Sequence, residues 1–282
     1  MIDYRWRAEA LKRKDAASSD WKKKMKARIF ERALPRIAAH RLAQAKQRIT
    51  PEWTPIRAAA DFKAWQLDGD YLEFGVYTGK SFSHAWHLIR AAEANRQKAT
   101  STRFFAFDSF EGLPESKGLD RIYDPYATGS YAASEGEFLR NLKESGVDLS
   151  EVVVVPGFYD RSLGPGTKER IGLEKAAVVY IDCDLYDSAV AVLDFLTDVL
   201  VDGAIVIFGD WYLFHANPEL GQQRAFKDWL HKNPQLRATP FVQVPHVYHQ
   251  SFIIHRSVGA ERPVSANGNA RIKESGTPEV HA

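Results

Sequence analysis

Glu73, Gly75 and Gly79 stand in one short run, Tyr71-Leu72-Glu73-Phe74-Gly75-Val76-Tyr77-Thr78-Gly79-Lys80-Ser81-Phe82. An apolar stretch reaches an acid, breaks at Gly75 and opens past Gly79 into a helical pattern. Glycines let backbone approach a ligand where any Cβ would collide, and the first N–H groups of the helix can meet it. The run therefore reads as the seat of a cofactor. Its spacing disfavours two nucleotide motifs. The dinucleotide fingerprint needs three glycines, and the P-loop needs a glycine five residues ahead of the one in its Gly-Lys-Ser ending. Here the upstream glycine lies only four residues ahead.

Glu-x-Gly-x-x-x-Gly after a strand resembles the pattern with which class I methyltransferases hold the amino acid end of S-adenosylmethionine (SAM). An ordinary Gly-rich strand-to-helix turn is the alternative. The elements that must position this turn are legible on either side. Strand-like runs fall at 71–74, 103–107, 152–155, 177–181, 204–208, 241–244 and 251–254, with helical patterns at 81–95, 135–144, 188–201 and 222–231. Short apolar strands alternating with helices predict an α/β fold, a parallel sheet covered on both faces. Ligands of such sheets bind beyond the carboxyl ends of the strands. The polar residues fall there: Glu73 and Gly75 after the first strand, Asp108 after the second, Asp182 and Asp184 after the fourth, Asp210 after the fifth. An acid in the position of Asp108 can accept hydrogen bonds from both hydroxyls of an adenosine ribose, or serve as a helix N-cap.

Asp182, Asp184 and Asp187 bring three carboxylates together at the end of a buried strand. Their repulsion is costly unless a cation or hydrogen-bond donors lie nearby. A hard divalent ion such as Mg²⁺ takes oxygen ligands, commonly one or two carboxylates plus water and substrate oxygens. Asp210 is then the candidate second ligand. A chelated ion would hold two neighbouring substrate hydroxyls and lower the pKa of one. In the alternative, Asp184 or Asp187 caps the following helix and only Asp182 faces the site.

Four motifs in order resemble the macrocin O-methyltransferase family: 71–79, Phe107-Asp108-Ser109-Phe110-Glu111-Gly112-Leu113-Pro114, Gly157-Phe158-Tyr159-Asp160 and Asp182-Cys183-Asp184-Leu185-Tyr186. The resemblance runs from about residue 71 to 256. It implies a class I methyltransferase (Rossmann-like) seven-stranded, mostly parallel sheet and SAM-dependent methylation of hydroxyls on sugar-containing small molecules. It implies that Glu73, Gly75 and Gly79 bind the methionine part of SAM, with Phe74, Tyr77, Thr78 and Ser81 around them. Asp108 and Ser109 would serve the ribose, Gly157 and Phe158 would complete the cofactor site, and Asp182 would be both a magnesium ligand and a catalytic residue. The stretch from Asp108 onward would begin a substrate lid reaching Tyr131. One departure stands out: where the family has two adjacent acids after the fifth strand, this chain has Gly209-Asp210-Trp211.

If Gly209 costs the site its metal, a general base must take the acceptor proton, and histidine has a suitable pKa. His215 is the first candidate, followed by His246 and His249 between the last two strands. This leaves two rival readings beside a Mg-assisted O-methyltransferase: a metal-independent enzyme with a histidine base on another acceptor, and a SAM-binding partner protein without catalysis. A nicotinamide oxidoreductase is a weaker rival.

Composition bounds the remainder. Of 282 residues, the first fifty carry 15 Lys/Arg against 5 Asp/Glu, so the net +2 conceals a basic segment and an acidic remainder. Residues 1–56 read as a basic, amphipathic helical arm that packs on its own domain or on a dimer mate, with an anionic membrane surface or an acidic partner as alternatives. No nucleic-acid motif accompanies the charge. Residues 57–256 form the expected methyltransferase domain and 257–282 an expected disordered tail. The lone Cys183 excludes an intrachain disulfide and a Cys-rich zinc site. The absence of a long apolar run and of a signal-peptide core predicts a cytoplasmic protein.

Overall fold

A computed structural model of the chain describes residues 51–94, 102–122 and 127–257. Most of the expected arm, and the expected tail beyond Ser257, lie outside those residues. The described part opens with a helix, α1 (Thr54–Gln66), which crosses the expected boundary at 56. Proline sits in its first turn, where no N–H is needed. Ile56, Ala59, Ala60, Lys63 and Ala64 recur at helical spacing along its buried face.

Then follow β1 (Asp70–Phe74), α2 (Lys80–Ala94), β2 (Phe104–Asp108), α3 (Glu135–Glu144) and β3 (Val152–Pro156). Two short helices, α4 (Tyr159–Ser162) and α5 (Thr167–Ile171), lead to β4 (Ala176–Ile181) and α6 (Tyr186–Leu196). The chain continues through β5 (Leu200–Phe208), α7 (Gly221–Lys232), β6 (Leu236–Val244) and β7 (His249–Arg256). α3 starts on a capping pattern: Ser134 accepts from the Glu137 N–H, and Glu135 and Glu137 occupy the first turn.

The seven strands lie in the order β3-β2-β1-β4-β5-β7-β6. β7 runs antiparallel to both β5 and β6, and the other neighbours are parallel. This is the class I methyltransferase fold. Alternation along the strands splits the core in two. Leu72, Phe74, Phe107, Ile181 and Phe208 face α6 and α7, with Leu193 and Phe226 packed on them. Tyr71, Phe104, Ala106, Val178 and Tyr180 face α1, α2 and α3, with Ile56, Phe82 and Phe138.

The element ends differ most from expectation in two regions. The helix expected to run to Val201 ends at Leu196, and Leu200 already belongs to β5. Both stretches are apolar, so periodicity alone does not separate them. β6 starts at Leu236 rather than Phe241, with Pro240 inside it. The strand lies at the sheet edge, where proline is tolerated, and the pairing shifts register between Pro240 and Gln243.

Candidate active site

The sheet aligns the site. Phe74 is paired with both Phe107 and Ile181, and Ile181 with Phe208. The residues that follow, Gly75, Asp108, Asp182 and Gly209, therefore stand abreast at the carboxyl edge, where the strand order reverses between β1 and β4. A cavity of about 920 Å³ opens above them, lined among others by Gly75, Asp108, Phe158, Asp182, Asp184 and Asp210.

Gly75 has φ +86°, and a Cβ there would lie 1.9 Å from the carbonyl oxygen of Asp182. No other residue fits between the two strand ends. The turn is held by Asp108, whose Oδ2 accepts from the N–H groups of Val76 (2.8 Å) and Tyr77 (3.0 Å) while Oδ1 accepts from Phe110 (2.8 Å). A carboxylate has about four acceptor positions; three are in use, so Asp108 organises the turn as well as facing the cavity. Beneath the turn, fully buried Glu73 accepts from the hydroxyls of Tyr71 and Ser81, each at 2.5 Å. Burial raises its pKa to about 8 against the opposing effect of these hydrogen bonds.

Among the described residues, no cation forms an ion pair with the carboxylates after β4 and β5. Asp182 is pushed well above the ordinary carboxylate range, by burial first and the charge of Asp210 second. Asp210 is raised by burial and Asp184; Asp184, with φ 56°, rises to about 7 through burial and Asp182. Donors replace a cation in part. Asp210 Oδ2 accepts from the Asp184 N–H (3.0 Å) and from Gln222 Nε2 (3.3 Å).

The segment after β2, expected to begin a lid, lines the cavity with Gly112, Leu113 and Pro114, and Ser130 and Tyr131 line it as well. Leu113 N–H donates to Ser130, Gly129 N–H donates to Leu113, and Ser109 Oγ donates to the Gly112 carbonyl. Asp120 anchors the lid at the start of α6, accepting from the N–H groups of Tyr186 (2.8 Å) and Asp187 (3.2 Å). The cap expected from Asp184 or Asp187 is thus supplied from the lid.

Of the residues expected to bind cofactor, Gly75, Tyr77, Asp108, Ser109, Phe158 and Asp182 line the cavity. Glu73, Phe74, Thr78, Gly79, Ser81 and Gly157 shape it from behind. Phe74 stacks on Phe107 in the core at 4.4 Å, and a Cβ on Gly79 would press on Phe138 at 2.9 Å. The Thr78 carbonyl accepts from Asn141, and Gly157 has φ +118° at the turn after β3.

The two histidines expected to be catalytic lie elsewhere. His215 is on an exposed turn with φ 56° and does not line the cavity. His249 is buried behind it, 3.3 Å from the Tyr180 hydroxyl, and burial lowers its pKa to about 4. Its Nδ1 has no partner among the described residues. Sequence reasoning missed Gln222, Asp120 and the cavity-lining Tyr248, because each reaches the site from a distant segment with no spacing signal.

The residues fit SAM: a glycine turn that admits close backbone approach, a buried acid beneath it, and Asp108 on the neighbouring strand. They do not fit a divalent ion at Asp182 and Asp210. Gly209 brings no donor, and a Cβ on it would lie 2.0 Å from Asp182 Oδ1, so the carboxylate fills the room of the missing side chain. Among the described residues no group of three His, Cys, Asp or Glu side chains is placed to hold a metal.

Comparison with known proteins agrees with this geometry. The O-methyltransferase NovP superposes with a TM-score of 0.57 at 21% identity, covering 71% of this chain and 78% of its own. CalS11, a calicheamicin methyltransferase, gives 0.56 at 22% identity, covering 70% and 76%. At these identities the likeness speaks for the fold. No curated protein matches in sequence. The family model described as Macrocin-O-methyltransferase (TylF) matches residues 9–234. With that match over most of its length, the chain belongs to the macrocin O-methyltransferase family of SAM-dependent enzymes.

Proposed function

We propose that this enzyme transfers the methyl group of SAM to a hydroxyl of a sugar-containing small molecule. The observation that carries the reading is the row of Gly75, Asp108 and Asp182 under one lidded cavity at the switch point of the sheet. In this reading the Gly75 turn over Glu73 would hold the amino acid end of SAM, the remaining acceptor position of Asp108 would take a ribose hydroxyl, and Phe158 with Tyr159 would hold the base.

When bound, SAM supplies a sulfonium methyl that passes in line to the acceptor oxygen, leaving a neutral thioether. The chain's part is chiefly positioning. As the new O–CH₃ bond forms, the acceptor's O–H proton passes to Asp182, the carboxylate nearest the row, and leaves through the open cavity. A raised carboxyl suits this task, and the positive charge arriving with the cofactor favours its ionised form. Neither His215 nor His249 is placed to compete for the proton.

Three aromatic side chains at the cavity suit a ring-bearing acceptor: Tyr77, Tyr131 and Tyr248 are about half exposed, and the first two meet edge to face at 6.1 Å. No helix among the described residues is long and apolar enough to cross a membrane.

Calorimetric titration with SAM and S-adenosylhomocysteine (SAH) tests the reading. Binding that Asp108→Ala weakens by tenfold or more, about 1.4 kcal/mol, is expected. No binding to the wild-type protein would remove it.

A further inference from the structure

We propose that methyl transfer in this chain proceeds without a divalent ion, and that Gly209 is the residue responsible: it frees the space into which the Asp182 carboxylate has turned, toward Tyr180 and Asp210. The inference rests on the methyltransferase reading of the site.

Gly75 and Gly79 are glycines for conformation, with φ of +86° and +84°. Gly209 has no left-handed φ to explain it. What it provides is room. A Cβ there would stand 2.0 Å from Asp182 Oδ1, 2.7 Å from its Cγ and 3.1 Å from the Tyr180 hydroxyl. Any side chain at 209 would therefore drive the Asp182 carboxylate out of its present place.

Asp210 is committed as well. Its Oδ2 holds the Asp184 N–H at 3.0 Å and Gln222 Nε2 at 3.3 Å, and Gln222 also donates to the Ile181 carbonyl at 3.1 Å. The Asp210 N–H donates to Gln222 Oε1 at 3.0 Å. Gln222 is 1% exposed, so this amide is locked between β4 and β5. An ion at this point would have to break the hydrogen bonds of Asp210, draw Asp182 out of the space beside Gly209, and would still lack a donor from position 209. In its place the chain has the Asp182 carboxylate seated against Gly209 and Asp210 bonded to Gln222.

A consequence for the acceptor follows. A chelated ion grips two neighbouring oxygens of a substrate, whereas one carboxylate takes one proton. The acceptor therefore needs no second hydroxyl beside the methylated one.

The experiment is a calorimetric titration of the full-length protein with MgCl₂ and MnCl₂, each with and without SAH, backed by Mn(II) electron paramagnetic resonance. SAH binding in the same samples reports separately on the methyltransferase reading: its absence would overturn that reading rather than this one. The expected result is SAH binding that neither metal alters, and no saturable metal binding at millimolar concentration. Gly209→Asp, which displaces Asp182 and adds a donor, is expected to acquire a saturable Mn(II) site. Gly209→Ala, which displaces Asp182 without a donor, is expected to acquire none. Stoichiometric metal binding by the wild-type protein that is lost in Asp182→Asn overturns the proposal. So does a Gly209→Asp protein that binds SAH and still takes no metal.

Discussion

The two ends of the sheet bury charge in opposite ways. At the amino ends of β1 and β2, Lys63 is 1% exposed and donates to Glu93 at 3.0 Å and to the Thr102 hydroxyl at 2.6 Å. Arg90 completes the group, 2.7 Å from Glu93 and 2.7 Å from the Thr102 carbonyl. Nearby, Arg103 bridges Asp70 and the Gly172 carbonyl. Every anion there has a cation. At the carboxyl ends, Glu73 has hydroxyl donors and Asp210 has amide and N–H donors, but among the described residues neither they nor Asp182 and Asp184 form an ion pair, and all four are raised. Balanced burial ties helices to the sheet. Unbalanced burial leaves a demand for positive charge, which a sulfonium and an ammonium can satisfy.

Substitutions at the two ends should therefore separate activity from stability. Asp182→Asn is expected to lower turnover about a hundredfold or more, the scale of a lost general base. Its thermal midpoint should hold or rise, because the repulsion with Asp210 is relieved. A variant that keeps its turnover would end the assignment of Asp182 as the proton acceptor.

Lys63→Met should do the reverse. Leaving Glu93 short of a buried partner is expected to cost about 3 kcal/mol of unfolding free energy, read from denaturant titration, while SAM affinity at low temperature stays at the wild-type level. Equal stability of the two proteins would show that the network at the amino ends contributes nothing net.

A third contrast concerns pH. The Glu73 carboxyl, raised from 4.5 to about 8, keeps its proton in the folded chain where the unfolded chain has lost it. Its contribution to stability is complete below about 4.5, declines as pH rises, and is gone above about 8, at no more than about 1.4 kcal/mol per pH unit. Glu73→Gln should flatten thermal stability across that window. SAM affinity, in contrast, should increase toward pH 8 in the wild-type protein and lose much of that rise in the variant. An unchanged pH profile in Glu73→Gln would place the linkage on another carboxyl.

The sheet was legible in sequence because its strands are short apolar runs with an acid or glycine at the end that meets the ligand. Asp108 and Asp182 could be placed for the same reason. Element ends were harder: Leu196 and Leu200 differ in conformation but not in character, and α1 begins where a basic arm was expected to end. The histidines misled because a suitable pKa says nothing about direction. His249 sits at the level of the site and is buried behind Tyr180. Gly209 stood out as a departure, yet its meaning depends on the Asp182 carboxylate, a contact between residues 27 positions apart. The amide lock of Gln222 and the lid anchor of Asp120 are likewise products of the fold.

That anchor bears on traffic through the enzyme. From Ser109 to Asp120 the lid is a strap fastened at three places: Ser109 to the Gly112 carbonyl after β2, Leu113 to Gly129 and Ser130 in its middle, and Asp120 to the start of α6. A strap stitched along its length opens piecemeal rather than swinging, so a bulky acceptor needs more of these stitches undone than small cargo does.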